Sequence, residues 1–102
     1  MIHVIASIEV KPENRAQLLA AFAELVPQVK AEEGCLEYGP AIDLATPIER
    51  QTPPRDNVIT VIEKWESVPA LQAHLVAPHM DAFRERVQDL VDGLTLQVLE
   101  PA

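Results

Sequence analysis

Glu63 and Trp65 stand two positions apart on the same face of a predicted strand, together with the apolar Val61. A carboxyl group on such a face either makes a salt bridge or lies at the rim, or it serves as a base or hydrogen-bond acceptor inside a pocket. Burial without a partner would raise its pKa. Glu63 is therefore a candidate for proton chemistry.

His74 lies beside the apolar stripe of a predicted helix, where a histidine is ordinarily a partly exposed structural residue. Imidazole titrates near neutrality, however, and would suit a general base. Tyr38 and Trp65 each combine a flat face with a polar group, which is useful for holding an aromatic ring. Three further residues belong to helical apolar stripes and are core by default, although some could line a cavity: Phe22, Met80 and Phe83.

Other chemistries find little support in the sequence. The three histidines are His3, His74 and His79. The last two are five residues apart, so on one helix they would point about 140° from each other, and Pro78 between them interrupts even that geometry. The single cysteine, Cys35, has no basic residue or histidine adjacent in the sequence, so we expect it to be a small buried hydrophobic residue rather than a nucleophile. Phosphate-binding, dinucleotide-binding and Gly-x-Ser-x-Gly signatures are missing.

The composition limits the classes of partner. The chain has 102 residues, a length that predicts one domain over residues 1–102. Its formal net charge is −8. Such a charge would repel phosphate backbones and anionic membranes, so we expect no nucleic-acid partner and no membrane insertion. The first residues lack a basic leader followed by a long apolar run, which predicts a cytoplasmic protein.

Hydrophobic periodicity predicts the order β-α-β-β-α-β. The predicted strands cover residues 2–10, 35–44, 57–66 and 94–100. A helix is expected from Pro12 to about residue 31, with Pro27 kinking or breaking it and Gly34 in a left-handed conformation after it. Gly39-Pro40 indicates a bulge or an edge strand, and residues 45–56 read as a surface loop.

The second helical region is expected in two pieces. Ser67 is a suitable N-cap, Pro78 ends the first piece and starts the second, and Gly93 stops the latter. This order is typical of the α+β, ferredoxin-like fold with an antiparallel sheet. The third strand is largely apolar on both faces, which predicts that the sheet of a partner subunit covers one of them.

Several short elements resemble the antibiotic-biosynthesis monooxygenase (ABM) family, and most nearly its bacterial quinol (menadiol) monooxygenases. The central elements are Glu63-Lys64-Trp65-Glu66-Ser67, Ala70-Leu71, Ala73-His74-Leu75, Pro78-His79-Met80 and Phe83. Glu33-Gly34-Cys35 followed by Tyr38, the opening Val4-Ile5-Ala6 and the break Lys11-Pro12 also match. Their order and spacing cover nearly the whole chain.

The resemblance implies a dimeric α+β barrel, a homodimer, and a pocket between the sheet and the helices. It also implies oxidation of a small aromatic hydroquinone to a quinone by dioxygen without metal, flavin or haem. The positions to carry over as catalytic are His74 and Glu63. The positions implied for substrate binding are Trp65, Tyr38, His79, Met80, Phe83 and Phe22.

Other functions on the same fold remain open at this point. Haem-degrading relatives need an Asn near the end of the first strand, where this chain has Ser7 and Ile8. A second class isomerises or degrades an autoinducer-type phospho-sugar and shares the His-…-Pro-His spacing, but it requires a cationic site. A third possibility is a binding or assembly domain without catalysis.

Overall fold

The computed structural model describes all 102 residues. Its elements, in chain order, are β1 (Ile2–Val10), a 3₁₀ turn (Pro12–Asn14), α1 (Arg15–Lys30), β2 (Cys35–Ala41), β3 (Val58–Trp65), α2 (Val68–Leu75), α3 (Pro78–Val87) and β4 (Val91–Leu99). The predicted β-α-β-β-α-β order is confirmed, with the second helical region in two pieces. None of the helices combines the length and apolar character that a membrane crossing requires.

The four strands form one antiparallel sheet in the order β2-β3-β1-β4. Directly paired residues share a face, so the register determines which side chains meet. Glu63 is opposite Val4 on one side and opposite Tyr38 on the other. This register places the Glu63 carboxyl in the middle of the face that the helices cover.

The hydrophobic core lies between that face and the three helices. The even positions of β1 and the odd positions of β3 are buried, as their alternation predicts. α1 contributes a stripe at helical spacing that runs from Leu18 through Phe22 and Leu25 to Val29. The α2 and α3 helices cover the rest with Leu71, His74, Met80 and Val87.

Local signals account for the start of α2 and the break after it. The Ser67 hydroxyl accepts a hydrogen bond from the backbone N–H of Ala70 at 3.2 Å, as an N-cap does. Pro78 occupies the first turn of α3, where a missing N–H is tolerated. The chain therefore changes direction between Leu75 and Pro78.

A break of α1 at Pro27 and the end of a helix at Gly93 were both expected, and the structure shows neither. Pro27 does not divide α1, which continues to Lys30. Pro27 lies in the last turns on the exposed side, where solvent can reach the carbonyl that loses its partner. Gly93 does not stop a helix, since α3 ends at Val87 and Gly93 lies inside β4.

Strand β2 is shorter than expected and ends at Ala41 rather than at residue 44. It is an edge strand, as Gly39-Pro40 suggested. The register of its pairing with β3 shifts between Cys35 and Glu37. The segment after it forms no helix or strand. Arg55 closes it by donating three hydrogen bonds to the Asp43 carboxylate, one of 3.0 Å from its backbone N–H and two of 2.7 and 3.0 Å from its guanidinium group.

The other face of the sheet has no covering layer within the chain. Ile5 and Ile62 are paired on this face, and Ile62 is 47% exposed. Leu99, paired with His3, is also exposed there. On the helix side, β4 extends beyond the helices, so Leu94 remains exposed although its partner Ile8 is buried.

Gly34 is the one residue with a left-handed backbone, with φ of 84°. Its carbonyl oxygen accepts a hydrogen bond from the backbone N–H of Glu66 at 2.8 Å. This joins the turn after α1 to the end of β3. A Cβ at residue 34 would lie only 2.7 Å from the Cβ of Ala70.

We predict that Gly34→Ala lowers the free energy of unfolding by about 2 kcal/mol or more, because it combines left-handed strain with a steric clash. Gly39→Ala is the matched control, because a Cβ there meets no atom within 4 Å and needs no left-handed backbone. Urea unfolding of both variants measures the difference. Equal stabilities of the two variants would contradict the prediction.

Candidate active site

A small cavity of about 120 Å³ lies between the helix-facing side of the sheet and the three helices. Its wall is mainly hydrophobic, and every strand and every helix contributes to it. The lining residues are Ala6, Ile8, Phe22, Tyr38, Val61, Glu63, His74, Leu75, Met80, Arg84, Leu94 and Leu96. The exposed Leu94, Leu96 and Arg84 form the outer rim, while Tyr38, Glu63 and His74 supply the polar groups inside.

Glu63 is buried in this apolar wall, with 8% of its surface exposed. Its Oε1 accepts a hydrogen bond of 2.9 Å from the indole Nε1–H of Trp65, which is fully buried. Burial raises the pKa of Glu63, while the indole donor and His74 lower it. The indole thus serves as a hydrogen-bond partner of the carboxyl as well as a core residue.

His74 is 2% exposed, so the expectation of a partly exposed residue was wrong. Its ring packs against Trp65, with the ring centroids 4.6 Å apart and the planes tilted by 36°. Tyr38 meets the same imidazole edge-on, with 5.6 Å between centroids. The base candidate is therefore held between two aromatic rings, a contact that helical spacing alone does not reveal.

Glu32, which the sequence did not single out, fixes the imidazole. Its Oε2 lies 2.8 Å from Nδ1 of His74 and 2.9 Å from Nε2 of His79. An ionised carboxylate accepts hydrogen bonds, so both ring nitrogens act as donors to it. In its neutral form, His74 bonded in this way carries its proton on Nδ1 and presents the lone pair of Nε2. The only sequence signal for Glu32 was its place before Glu33-Gly34, an element used for the turn.

Three polar atoms of the residues that line the cavity have no hydrogen-bond partner within the chain. Within the chain, Glu63 is bonded through Oε1 and His74 through Nδ1. No side-chain N or O atom that is sealed from solvent lacks a partner. Glu63 Oε2, His74 Nε2 and the Tyr38 hydroxyl therefore have some exposure to solvent, and all three residues line the cavity. A weak acid bound there would meet a proton acceptor among largely apolar side chains.

Residues 1–86 match the family described as antibiotic biosynthesis monooxygenase. The chain belongs to this family. It is 40% identical over 103 residues to the protein named "Probable quinol monooxygenase YgiN" of Escherichia coli K12, and the match covers 99% of this chain and 98% of that relative. The resemblance read from the sequence is confirmed.

Solved structures share the fold. Rv0793 from Mycobacterium tuberculosis superposes with a TM-score of 0.80 at 24% identity, covering 99% of this chain and 94% of that one. PA3566 from Pseudomonas aeruginosa gives a TM-score of 0.79 at 24% identity, covering 99% and 93%. The α+β ferredoxin-like architecture is thus common to these proteins.

The cavity between the sheet and the helices brings together some of the predicted site residues and leaves others outside. Those that line it are Phe22, Tyr38, Glu63, His74 and Met80, with Trp65 directly behind Glu63 and His74. His79 and Phe83 do not line the cavity; they face a separate groove between α1 and α3. Phe83 packs on Phe22 with 4.9 Å between ring centroids, so it supports the wall from behind.

Two further groups in this region remain protonated. Burial raises the pKa of the Tyr38 hydroxyl, and Glu63 and Glu32 raise it further. Burial, Glu32 and Glu63 also raise the pKa of the Cys35 thiol, which is the opposite of what a cysteine nucleophile requires. No group of three or more His, Cys, Asp or Glu side chains is arranged to hold a metal ion.

We predict that the raised pKa of Glu63 makes wild-type stability fall with rising pH. The folded chain binds this proton more tightly than the unfolded chain, so the contribution is complete below the ordinary pKa of 4.5 and is lost as the pH rises through the raised value. Glu63→Gln keeps an acceptor for Trp65 and cannot ionise. The unfolding free energy of Glu63→Gln should therefore decline less with rising pH than that of the wild type.

Urea unfolding between about pH 4 and about pH 8 measures this difference. Glu49→Gln is the control, because Glu49 is an exposed loop residue. The control should follow the wild-type pH dependence. Parallel curves for wild type and Glu63→Gln would contradict the assignment of a raised pKa to Glu63.

Proposed function

We propose that this ABM protein is a cofactor-independent monooxygenase that oxidises a hydroquinone-type aromatic substrate to a quinone with dioxygen. The observation that carries the proposal is the placement of His74. Its Nδ1 is bonded to Glu32, its Nε2 has no partner within the chain, and the residue lines a mainly apolar cavity. The resemblance to a relative named as a probable quinol monooxygenase supports the same class of substrate.

The first step is a proton transfer. A hydroquinone is a poor electron donor until it loses a proton, and the lone pair of His74 Nε2 accepts that proton from a substrate hydroxyl. The imidazolium so formed is stabilised by Glu32 on its other side. Tyr38 keeps its own proton and is available to donate a hydrogen bond to the substrate oxygen.

The second step passes electrons from the hydroquinone anion to dioxygen. In monooxygenation the substrate gives up four electrons, one oxygen atom enters the ring, and the other leaves as water with two substrate hydrogens. Simple oxidation to the quinone transfers two electrons and two protons and yields hydrogen peroxide. In both reactions the electrons come from the substrate, so the proposed reaction needs no redox cofactor. His74 can return its proton to reduced oxygen.

The cavity fits a flat apolar group better than a charged one. Its volume of about 120 Å³ approaches the roughly 150 Å³ of a dry protein cavity that binds benzene. One aromatic ring would fill this cavity with no room to spare, and a second fused ring would have to extend past Leu94 and Leu96 at the rim. Arg84 is the one cationic lining residue, and it already donates to the Leu75 carbonyl and to Asp81. A phosphorylated sugar is therefore disfavoured.

Oxygen consumption with menadiol and other hydroquinones tests the proposal. We expect wild type to exceed the autoxidation background and His74→Asn to lose about 10²- to 10⁴-fold in kcat, the usual contribution of a general base. Asn keeps an N–H donor near the place of Nδ1 but has no basic nitrogen. His3→Asn, on the open face of the sheet, should behave as wild type.

The outcomes separate function from base assignment. Uptake retained in His74→Asn would keep the activity and move the base, with Glu63 next. No uptake above background with any hydroquinone would contradict the proposed function and favour a non-catalytic domain. Hydrogen peroxide released in equal amount to quinone would indicate simple oxidation rather than monooxygenation.

We further propose that the chain forms a homodimer through the open face of its sheet. Ile5 and Ile62 form an apolar patch there with no cover from the chain itself. Burying this patch against a second copy would remove apolar surface from water. Both faces of β3 would then be covered, as its two apolar sides predict.

Ile62→Asp should shift the dimer to monomer at micromolar concentrations, because it would bury charge in the proposed interface. Val76→Asp is the control: Val76 is also exposed, but it lies between α2 and α3, on the opposite side of the sheet. Sedimentation equilibrium measures both variants. A monomeric wild type, or an unchanged Ile62→Asp dimer, would contradict this interface.

A further inference from the structure

We propose that His79 is a positioning residue that acts through Glu32 to hold His74 in the tautomer with its basic nitrogen in the cavity. This inference rests on the proposed function of His74. His79 itself faces the groove between α1 and α3 and does not line the cavity. Its connection to the site is the single oxygen, Glu32 Oε2, that it shares with His74.

The break between α2 and α3 makes this shared contact possible. On one continuous helix, residues five apart point about 140° from each other. Here His74 lies in the last turn of α2 and His79 in the first turn of α3. The change of direction at Pro78 brings both rings to the same carboxylate, with N···O distances of 2.8 and 2.9 Å.

A second donor restricts the rotamers that the Glu32 side chain can adopt. It follows the end of α1, and it has a long side chain that is 14% exposed. With His74 as its only partner, the carboxylate would keep several rotamers open to solvent. His79 approaches from another helix and fixes the oxygen from a second direction.

The other ionisable groups near this cluster do not replace His79. Glu63 on β3 is itself a carboxyl group, so its negative charge would repel that of Glu32. Tyr38 and Cys35 on β2 stay protonated. Lys30 at the end of α1 and Arg84 on α3 make no hydrogen bond to Glu32. The two imidazoles are the only side chains bonded to the Glu32 carboxylate.

Loss of His79 should therefore change the chemistry of His74 without touching the substrate. Once Glu32 can turn toward solvent, Nδ1 of His74 loses its acceptor, and the imidazole can carry its proton on either nitrogen. The fraction of His74 with a free lone pair in the cavity falls, which lowers kcat. KM should change little, because the cavity wall is intact.

The test compares His79→Gln with His79→Leu. The Gln side-chain N–H₂ reaches roughly the place of imidazole Nε2, whereas Leu keeps bulk without a donor. We expect His79→Gln to retain menadiol-dependent kcat within about 3-fold and His79→Leu to lose about 10- to 100-fold. Imidazole ¹⁵N NMR should show His74 with its proton on Nδ1 in wild type and His79→Gln, and a mixed tautomer in His79→Leu.

Three results would overturn the inference. One is a His79→Leu protein with wild-type kcat and an unchanged His74 tautomer. A second is a His79→Gln protein as slow as His79→Leu, which would mean that His79 must ionise. If His79→Leu does not fold, Glu32→Leu takes its place, since it removes the oxygen to which both histidines are bonded, and an unchanged His74 tautomer there is the third.

The NMR arm also separates this inference from the proposed function. If wild type consumes no oxygen with any hydroquinone, the proposed function fails. A His74 tautomer that still depends on His79 would nevertheless support the positioning role. A His74 tautomer independent of His79 in an active enzyme would reject the positioning role alone. His3→Gln is the control histidine, because His3 lies on the other face of the sheet.

Discussion

Glu63 is a carboxyl group in the middle of an otherwise apolar sheet face, and the surrounding structure supplies what this placement requires. Burial opposes ionisation, so the group needs a hydrogen-bond donor close by. The donor is the indole of Trp65, two residues along the same strand. The indole ring itself is fully buried. The ring then forms the surface on which His74 packs.

The same constraint extends outward from β3 to the helices. A buried imidazole on an aromatic ring needs a partner for its second nitrogen, and Glu32 provides it from the turn after α1. That turn depends on Gly34, whose left-handed backbone brings its carbonyl to Glu66 at the end of β3. A strand, a turn and two helices thus meet at one small cavity, so the polar groups come into place only when the whole layer is folded.

Much of this fold was predictable from the sequence. The alternation of β1 and β3 and the proline at the start of α3 are local signals, and the structure follows them. The errors occurred where a tertiary contact or solvent decides the outcome. Pro27 was expected to kink or break α1, yet the helix continues past it because its missing bond falls on the exposed side. Gly93 is in a strand because β1 pairs with it.

Only part of the candidate site could be predicted from the sequence, for the same reason. Glu63 and Trp65 share a face at a spacing of two, so their proximity follows from strand geometry alone. The contact of Glu32 with His74 spans 42 residues, and no periodicity encodes it. The helical-angle argument separated His74 from His79, but the break in the helix brings both to one oxygen. The geometry of single elements therefore predicted that Glu63 and Trp65 of β3 lie together. It did not predict that Glu32 joins His74 to His79.

The edge strand β4 has a different role from the strand that carries the polar groups. Its Leu94 and Leu96 form the rim of the cavity, yet neither contacts Glu63, His74 or Glu32 through a hydrogen bond. Substitutions on this edge can alter the width of the entrance while the buried polar groups stay in place. The shape of the entrance and the arrangement of the buried polar groups are thus set by different strands, so one can change without the other.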